Sequence, residues 1–109
     1  MAAKPVHLRE LASADLHSAA DHYLSQADVA VAIRFIDAVQ RATRRISRSP
    51  QLGTLRFAYE LEIPELRSLP VARFPYLVFY VERDDHVDVW RILRTRRDIP
   101  STLLGDPEG

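Results

Sequence analysis

Fourteen of the 109 residues are arginine, and Lys4 is the only lysine. Arginine is a flat, permanently charged fork suited to carboxylates, phosphates and desolvated interfaces, and its very high pKa makes it a poor proton shuttle. One group comprises Arg56, Arg67, Arg73, Arg91, Arg94, Arg96 and Arg97. Converging on one sheet face, these could bind RNA phosphates or an acidic protein; scattered, they would be ordinary salt bridges. A second group, Arg34, Arg41, Arg45 and Arg48 with Arg44 nearby, recurs at helical spacing and reads either as a solvated face or as the receiver of an acidic partner. Other chemistries find little support. Without cysteine there is no thiolate nucleophile and no Cys-ligated zinc. His17 and His22 are five apart and off one helical face, while His7 and His86 have no liganding neighbours at useful spacing, so no metal site is expected. Three glycines (Gly53, Gly105 and Gly109) do not make a phosphate-cradling loop, and no Gly-x-Ser-x-Gly elbow is present. Trp90 and the four tyrosines read as core rather than stacking platforms.

The elements that must position these arginines follow from periodicity. Residues 76–81 (YLVFYV) are an uncharged run of aromatic and aliphatic residues, which predicts a strand covered on both faces. A polar turn at 82–86 leads to a second strand at 87–93. Strict alternation there puts Val87, Val89, Arg91 and Leu93 on one face and Asp88, Trp90 and Ile92 on the other. An arginine in such a row needs a carboxylate or must face a groove. Arg94, Arg96, Arg97 and Asp98 follow, and Pro100 ends the run, so this basic exit from a central hairpin is the first place to look for function. Residues 66–73 are expected to form a further strand in which Pro70 cannot donate to a ladder, so part of it belongs at an edge or a bulge. Residues 55–59, carrying Arg56, are expected to be another strand.

Upstream, residues 6–9 read as a first strand. Leu16, Ala19, Ala20, Tyr23, Leu24 and Ala27 then mark one helical face, with Ser13 as N-cap and Asp15 in the first turn. Asp28 caps a second helix whose apolar stripe is Ala32, Phe35, Val39, Ala42 and Ile46, and Asp37 is placed to pair with Arg41. The short break makes the two helices an antiparallel hairpin. The order β-αα-ββββ predicts an α+β fold, with the helical hairpin packed on a mostly antiparallel sheet of four or five strands. Residues 1–104 form a single domain and 105–109 a flexible tail.

A chain of 109 residues with zero formal net charge can bury roughly two thirds of its unfolded surface without a metal or disulfide. The start shows no apolar stretch fit for a signal peptide, and no run approaches the ~20 residues of a membrane span. A cytoplasmic protein without membrane attachment is expected.

Three segments together, "ADLHSAADHYL", "AIRFIDAVQRATRRISRSPQLG" and "LRSLPVARFPYLVFYVE" running on to "VDVWRILRTRRDIPSTLL", resemble the ParE branch of the ParE/RelE toxin superfamily, the plasmid stabilisation proteins of bacterial type II toxin–antitoxin pairs. The likeness covers about nine tenths of the chain, and its most specific part is the strand leading to Arg97, Asp98, Ile99 and Pro100. It implies the RelE/ParE-like fold and a toxin that inhibits DNA gyrase by protein–protein binding, held inactive by a cognate ParD-like antitoxin. RelE members instead cut messenger RNA on the ribosome. They usually place a tyrosine or histidine just beyond the last strand, whereas nothing from Arg91 onward here titrates near neutral pH. That favours a toxin with no catalytic residues and no cofactor. ParE-like sequences often carry histidine where this chain has Arg94 and a small residue where it has Arg96, so the exit is more basic than usual.

The reading places target contact on Arg94, Arg96 and Arg97, with Arg91, Arg73 and Arg56 lining the sheet groove, and antitoxin contact on Arg34, Arg41, Arg45 and Arg48. Direct DNA binding by the toxin alone is not expected. One alternative is a RelE-like endoribonuclease using Asp98 or Glu82 as base; another is a non-toxic interaction module that keeps the fold.

Overall fold

The computed structural model describes residues 3–95, 99, 102 and 103. Strand β1 (Val6–Leu8) leads into helices α1 (Glu10–Gln26) and α2 (Val29–Arg48). A 3-10 turn at Pro50–Leu52 and a short helix α3 (Arg56–Leu61) follow, then β2 (Arg67–Pro70), β3 (Tyr76–Glu82) and β4 (Val87–Arg94). The four strands form one sheet in the order β1-β4-β3-β2. β2 and β4 run antiparallel to β3, while β1 is parallel to β4. Pro70 lies on the edge strand, where its missing donor costs nothing.

α2 begins where Asp28 accepts the Val31 N–H at 2.9 Å, and it buries Ala32, Phe35, Ala38, Val39, Ala42 and Ile46 along one face. That face and the inner side of α1 meet Tyr76, Val78 and Tyr80 of β3 and Val87, Val89 and Ile92 of β4. A second cluster on the other side of the sheet joins Phe57, Leu66, Phe79, Val81, Leu93 and Ile99. β3 is therefore the central, doubly covered strand expected from its composition.

Three expectations change. Residues 55–59 are helical, not a strand: Phe57 turns inward, Arg56 and Glu60 pair at i,i+4, and Glu62 ends the helix in the left-handed conformation (φ 53°). Thr54 alone makes a bridge, to Ser68 of β2. α1 starts at Glu10, so Ser13 is not its N-cap and Asp15 is beyond its first turn; Arg9 holds the cap position without a side-chain bond to the helix end. Finally, the β3–β4 register shifts between Phe79 and Tyr80, leaving one extra residue in β4 around Trp90. The bulge breaks strict alternation, so Ile92 joins Val87 and Val89, while Leu93 goes to the opposite core.

The link after α2 is tied to the sheet through Tyr80. Its buried hydroxyl donates to the Pro50 carbonyl at 2.8 Å and accepts the Gly53 N–H at 2.8 Å. Burial raises the Tyr80 phenol above its ordinary pKa. A Cβ at Gly53 would lie 2.7 Å from that hydroxyl and 2.9 Å from the Ser68 carbonyl, which only glycine avoids.

Candidate functional site

β1 pairs with β4 only as far as Val89, so among the described residues no strand lies beside the outer edge of the rest of β4. α1 runs there instead. Its Asp15 carboxylate accepts from Arg91 Nε at 2.8 Å and Nη2 at 2.9 Å, and also takes the Ile92 backbone N–H at 3.0 Å. Both side chains are 13% exposed. The carboxylate that Arg91 required is thus supplied from 76 residues away, welding α1 to β4. Arg91 is a held residue with its guanidinium turned to Asp15.

Next to this lock is a cleft of about 190 Å³ lined by Asp15, Ser18, Ala19, His22, Tyr76, Ile92, Leu93 and Arg94. Arg94 is half-buried, with its guanidinium carbon 5.7 Å from the Tyr76 ring centre. Behind it Tyr23, Phe35, Phe74 and Tyr76 form an aromatic group with ring centres 5.1–6.3 Å apart. Burial, with Tyr76 nearby, raises the Tyr23 pKa against the lowering influence of Arg94. The cleft therefore presents a cation, a hydroxyl and an imidazole, while its one carboxylate is already engaged.

The other residues singled out in the sequence fall elsewhere. Arg73 is exposed in the β2–β3 turn at φ 71°. Arg56 is exposed on α3, against Glu60 at 3.2 Å and over the Phe57 ring at 5.2 Å. Arg56, Arg73 and Arg91 thus occupy three separate places, two of them tied to acids. Arg96, Arg97 and Asp98 lie outside the described residues.

Arg34, Arg41, Arg45 and Arg48 are exposed on the outer face of α2, and Arg44 stands with them. From Arg34 to Arg48 the ridge is about 21 Å long at the helical rise. Among the described residues none of the five makes an ion pair, and Asp37 does not close on Arg41. At the hairpin end, Leu24, Val29 and Ile33 are 49%, 59% and 52% exposed.

One cluster has no counterpart in the sequence reading. Asp88 accepts from Arg9 at 3.0 and 2.9 Å, from Arg83 Nη2 at 3.1 Å and from the Trp90 indole N–H at 3.2 Å. Arg9 also stacks on Trp90, 4.3 Å from the ring centre. Burial pushes the Asp88 carboxyl up, but the hydrogen bonds from Arg9, Arg83 and Trp90 outweigh it and hold the pKa below its ordinary value. Arg9 is 79 residues from Asp88, and only the β1–β4 pairing brings them together. The same pairing stacks His7 on His86, ring centres 4.9 Å apart, with His86 2.7 Å from Asp85. Among the described residues no group of three or more His, Asp or Glu is placed to hold a metal ion.

Comparison with known proteins gives a consistent family. The model described as "ParE toxin of type II toxin-antitoxin system, parDE" matches residues 6–99. A solved chain of the chromosomal ParDE TA system from P. aeruginosa superposes with a TM-score of 0.71 at 19% identity, over 84% of this chain and 95% of that one. At that identity the superposition speaks for the fold. No curated protein matches the sequence. Among the described residues no helix is long and apolar enough to cross a membrane.

Proposed function

This chain belongs to the ParE toxin family of type II toxin–antitoxin systems, and from that premise we propose that it inhibits DNA gyrase by protein–protein binding and is neutralised by a ParD-like antitoxin. The observation that carries this reading is the cleft at the end of β4. Cleavage of RNA through the 2′-hydroxyl needs a base, an acid and cations on the phosphate. Here Asp15 is consumed by Arg91 and Ile92, leaving Arg94 and Ser18 with a single imidazole, His22. Glu82, the other candidate base among the described residues, is bound to Lys4 at 2.7 Å. Such a cleft binds better than it moves protons. Arg94, with Arg96 and Arg97, is assigned to the target.

The antitoxin is assigned to the α2 ridge. Arg34, Arg41, Arg45 and Arg48 are a ladder of cations unpaired among the described residues, ending near the exposed Leu24, Val29 and Ile33. The segment that fits is acidic along most of its length and apolar at one end, folding as it binds.

His22 beside Arg94 is the specific feature on which a nuclease reading would rest. Inducing the chain, with and without its neighbouring antitoxin gene, and mapping transcript 5′ ends separates the two. The binding reading expects growth arrest with no new ends inside codons. Rapid appearance of such ends, abolished by His22→Gln, would establish the nuclease.

A further inference from the structure

We propose that the cleft beside Arg94 is a socket for one carboxylate side chain supplied by a protein partner, repeating in trans the arrangement that Asp15 makes one strand step earlier. The inference rests on the protein-binding reading above for the kind of partner, but its chemistry stands on the geometry of β4.

Past Val89 the outer edge of β4 faces α1 rather than a strand. At the first outward position, Ile92, the edge N–H and the Arg91 guanidinium together grip a single carboxylate, with all contacts at 2.8–3.0 Å. Backbone direction alternates along a strand, so the Arg94 N–H points to this same edge two residues on. Thr95, at the alternate phase, bonds inward to the Pro75 carbonyl at 2.9 Å. Arg94 therefore offers the same pair of donors that Arg91 and Ile92 offer: a guanidinium and an edge amide.

What differs is the helix. Opposite Ile92, α1 contributes Asp15; opposite Arg94 it contributes Ser18, Ala19 and His22, none of them acidic. Among the described residues Arg94 makes no ion pair, although it is half-buried and backed by the Tyr76 ring. The space left is about 190 Å³, enough for the head of an Asp or Glu side chain. The Arg94 guanidinium is the cation in its lining, beside the Ser18 hydroxyl, the His22 imidazole and an Asp15 carboxylate already held by Arg91 and Ile92, and bidentate guanidinium–carboxylate pairing is the strong form of such contacts. A carboxylate is favoured over a phosphate because the molecule already holds a planar two-oxygen acid in this way at the neighbouring position.

The probe is sodium acetate, titrated into the isotope-labelled full chain and followed by NMR, with sodium chloride at equal ionic strength as the reference and inorganic phosphate in a parallel series. The expected result is a saturable shift at the Arg94 amide and guanidinium and at Ser18 and His22, absent with chloride. Arg94→Gln should weaken acetate binding about tenfold or more, since it removes a charge-assisted bond. Ser18→Glu, which puts on α1 the acid that is missing opposite Arg94, should abolish the acetate response while leaving the fold and Asp15–Arg91 intact. Equal shifts with acetate and chloride, or an undiminished response in Arg94→Gln, would overturn the socket. Saturation by phosphate alone would overturn the protein-carboxylate assignment in favour of a phosphodiester. A socket confirmed in a chain that leaves gyrase untouched would refute the target and not the site; inhibition of gyrase without acetate binding would do the reverse.

Discussion

Replacing Asp15 by alanine tests the lock that holds α1 against β4. The change removes both guanidinium contacts and the acceptor of the Ile92 N–H, all between 2.8 and 3.0 Å. Arg91 is left with its charge only 13% exposed. Breaking a buried pair by deleting one partner costs about 3–5 kcal/mol, and slight water access here points to the lower end, about 3 kcal/mol. For a domain of this size that lowers the melting temperature by about 10–20 °C. The loss takes from Arg91 the acceptor of two guanidinium bonds and from the Ile92 amide its acceptor, and Asp15→Ala combined with Arg91→Met separates the cost of the pair from that of either side chain. Urea unfolding followed by far-UV circular dichroism on the two single variants and the double gives the coupling directly. A loss below about 1 kcal/mol, the size of an exposed pair, would refute the claim that this interaction organises the end of β4.

Tyr80→Phe should cost about 1–3 kcal/mol in the same assay, because the Gly53 N–H and the Pro50 carbonyl lose their partner in the interior. Gly53→Ala should destabilise too, and should still do so in the Tyr80→Phe background, where the hydroxyl 2.7 Å from the new Cβ is gone but the Ser68 carbonyl at 2.9 Å remains. Asp88 has a folded-state pKa below its unfolded value, so its contribution is fully present above about pH 4 and is lost as pH falls further through the folded value. Stability measured between pH 6 and pH 3 should therefore fall more steeply in the native chain than in Asp88→Asn, which starts lower. Reversing charge at Arg34, Arg41, Arg45 and Arg48 together should leave the melting temperature within a few degrees, since all four are exposed and unpaired. The same change should weaken capture of the cognate antitoxin, measured by calorimetry, and flatten its salt dependence.

What the sequence revealed and what it hid divide along the range of the interactions. The uncharged run at 76–81 announced a doubly buried strand, and Asp28 before an apolar stripe announced a capped helix; both signals are local, and both stand. The pattern at 55–59 misled because Phe57 and Tyr59 suit a strand, while the helix depends on Phe57 and Leu61 reaching the second core and on a left-handed Glu62. Alternation along 87–93 could not reveal the bulge, since the extra residue is defined only by the register against β3. That Arg91 needs either a carboxylate or a groove was legible from its apolar neighbours, and the structure supplies the carboxylate. Its identity was not legible, because Asp15 reads locally as a helix-dipole acid and only the packing of α1 along the unpaired edge of β4 gives it that role. Arg83 and Asp88 are five residues apart across the β3–β4 turn, but Arg9 had no sequence signal for joining them, because it reaches Asp88 only through the parallel β1–β4 pairing.

The central claim is inhibition by binding, and gyrase-catalysed supercoiling of relaxed plasmid by purified enzyme tests it most directly, with the cognate antitoxin as reversal control and Arg94→Gln as the matched variant. The chain should block supercoiling, antitoxin should restore it, and Arg94→Gln should inhibit at least several-fold less while keeping its melting temperature. Full supercoiling at a large molar excess of correctly folded chain would contradict that claim.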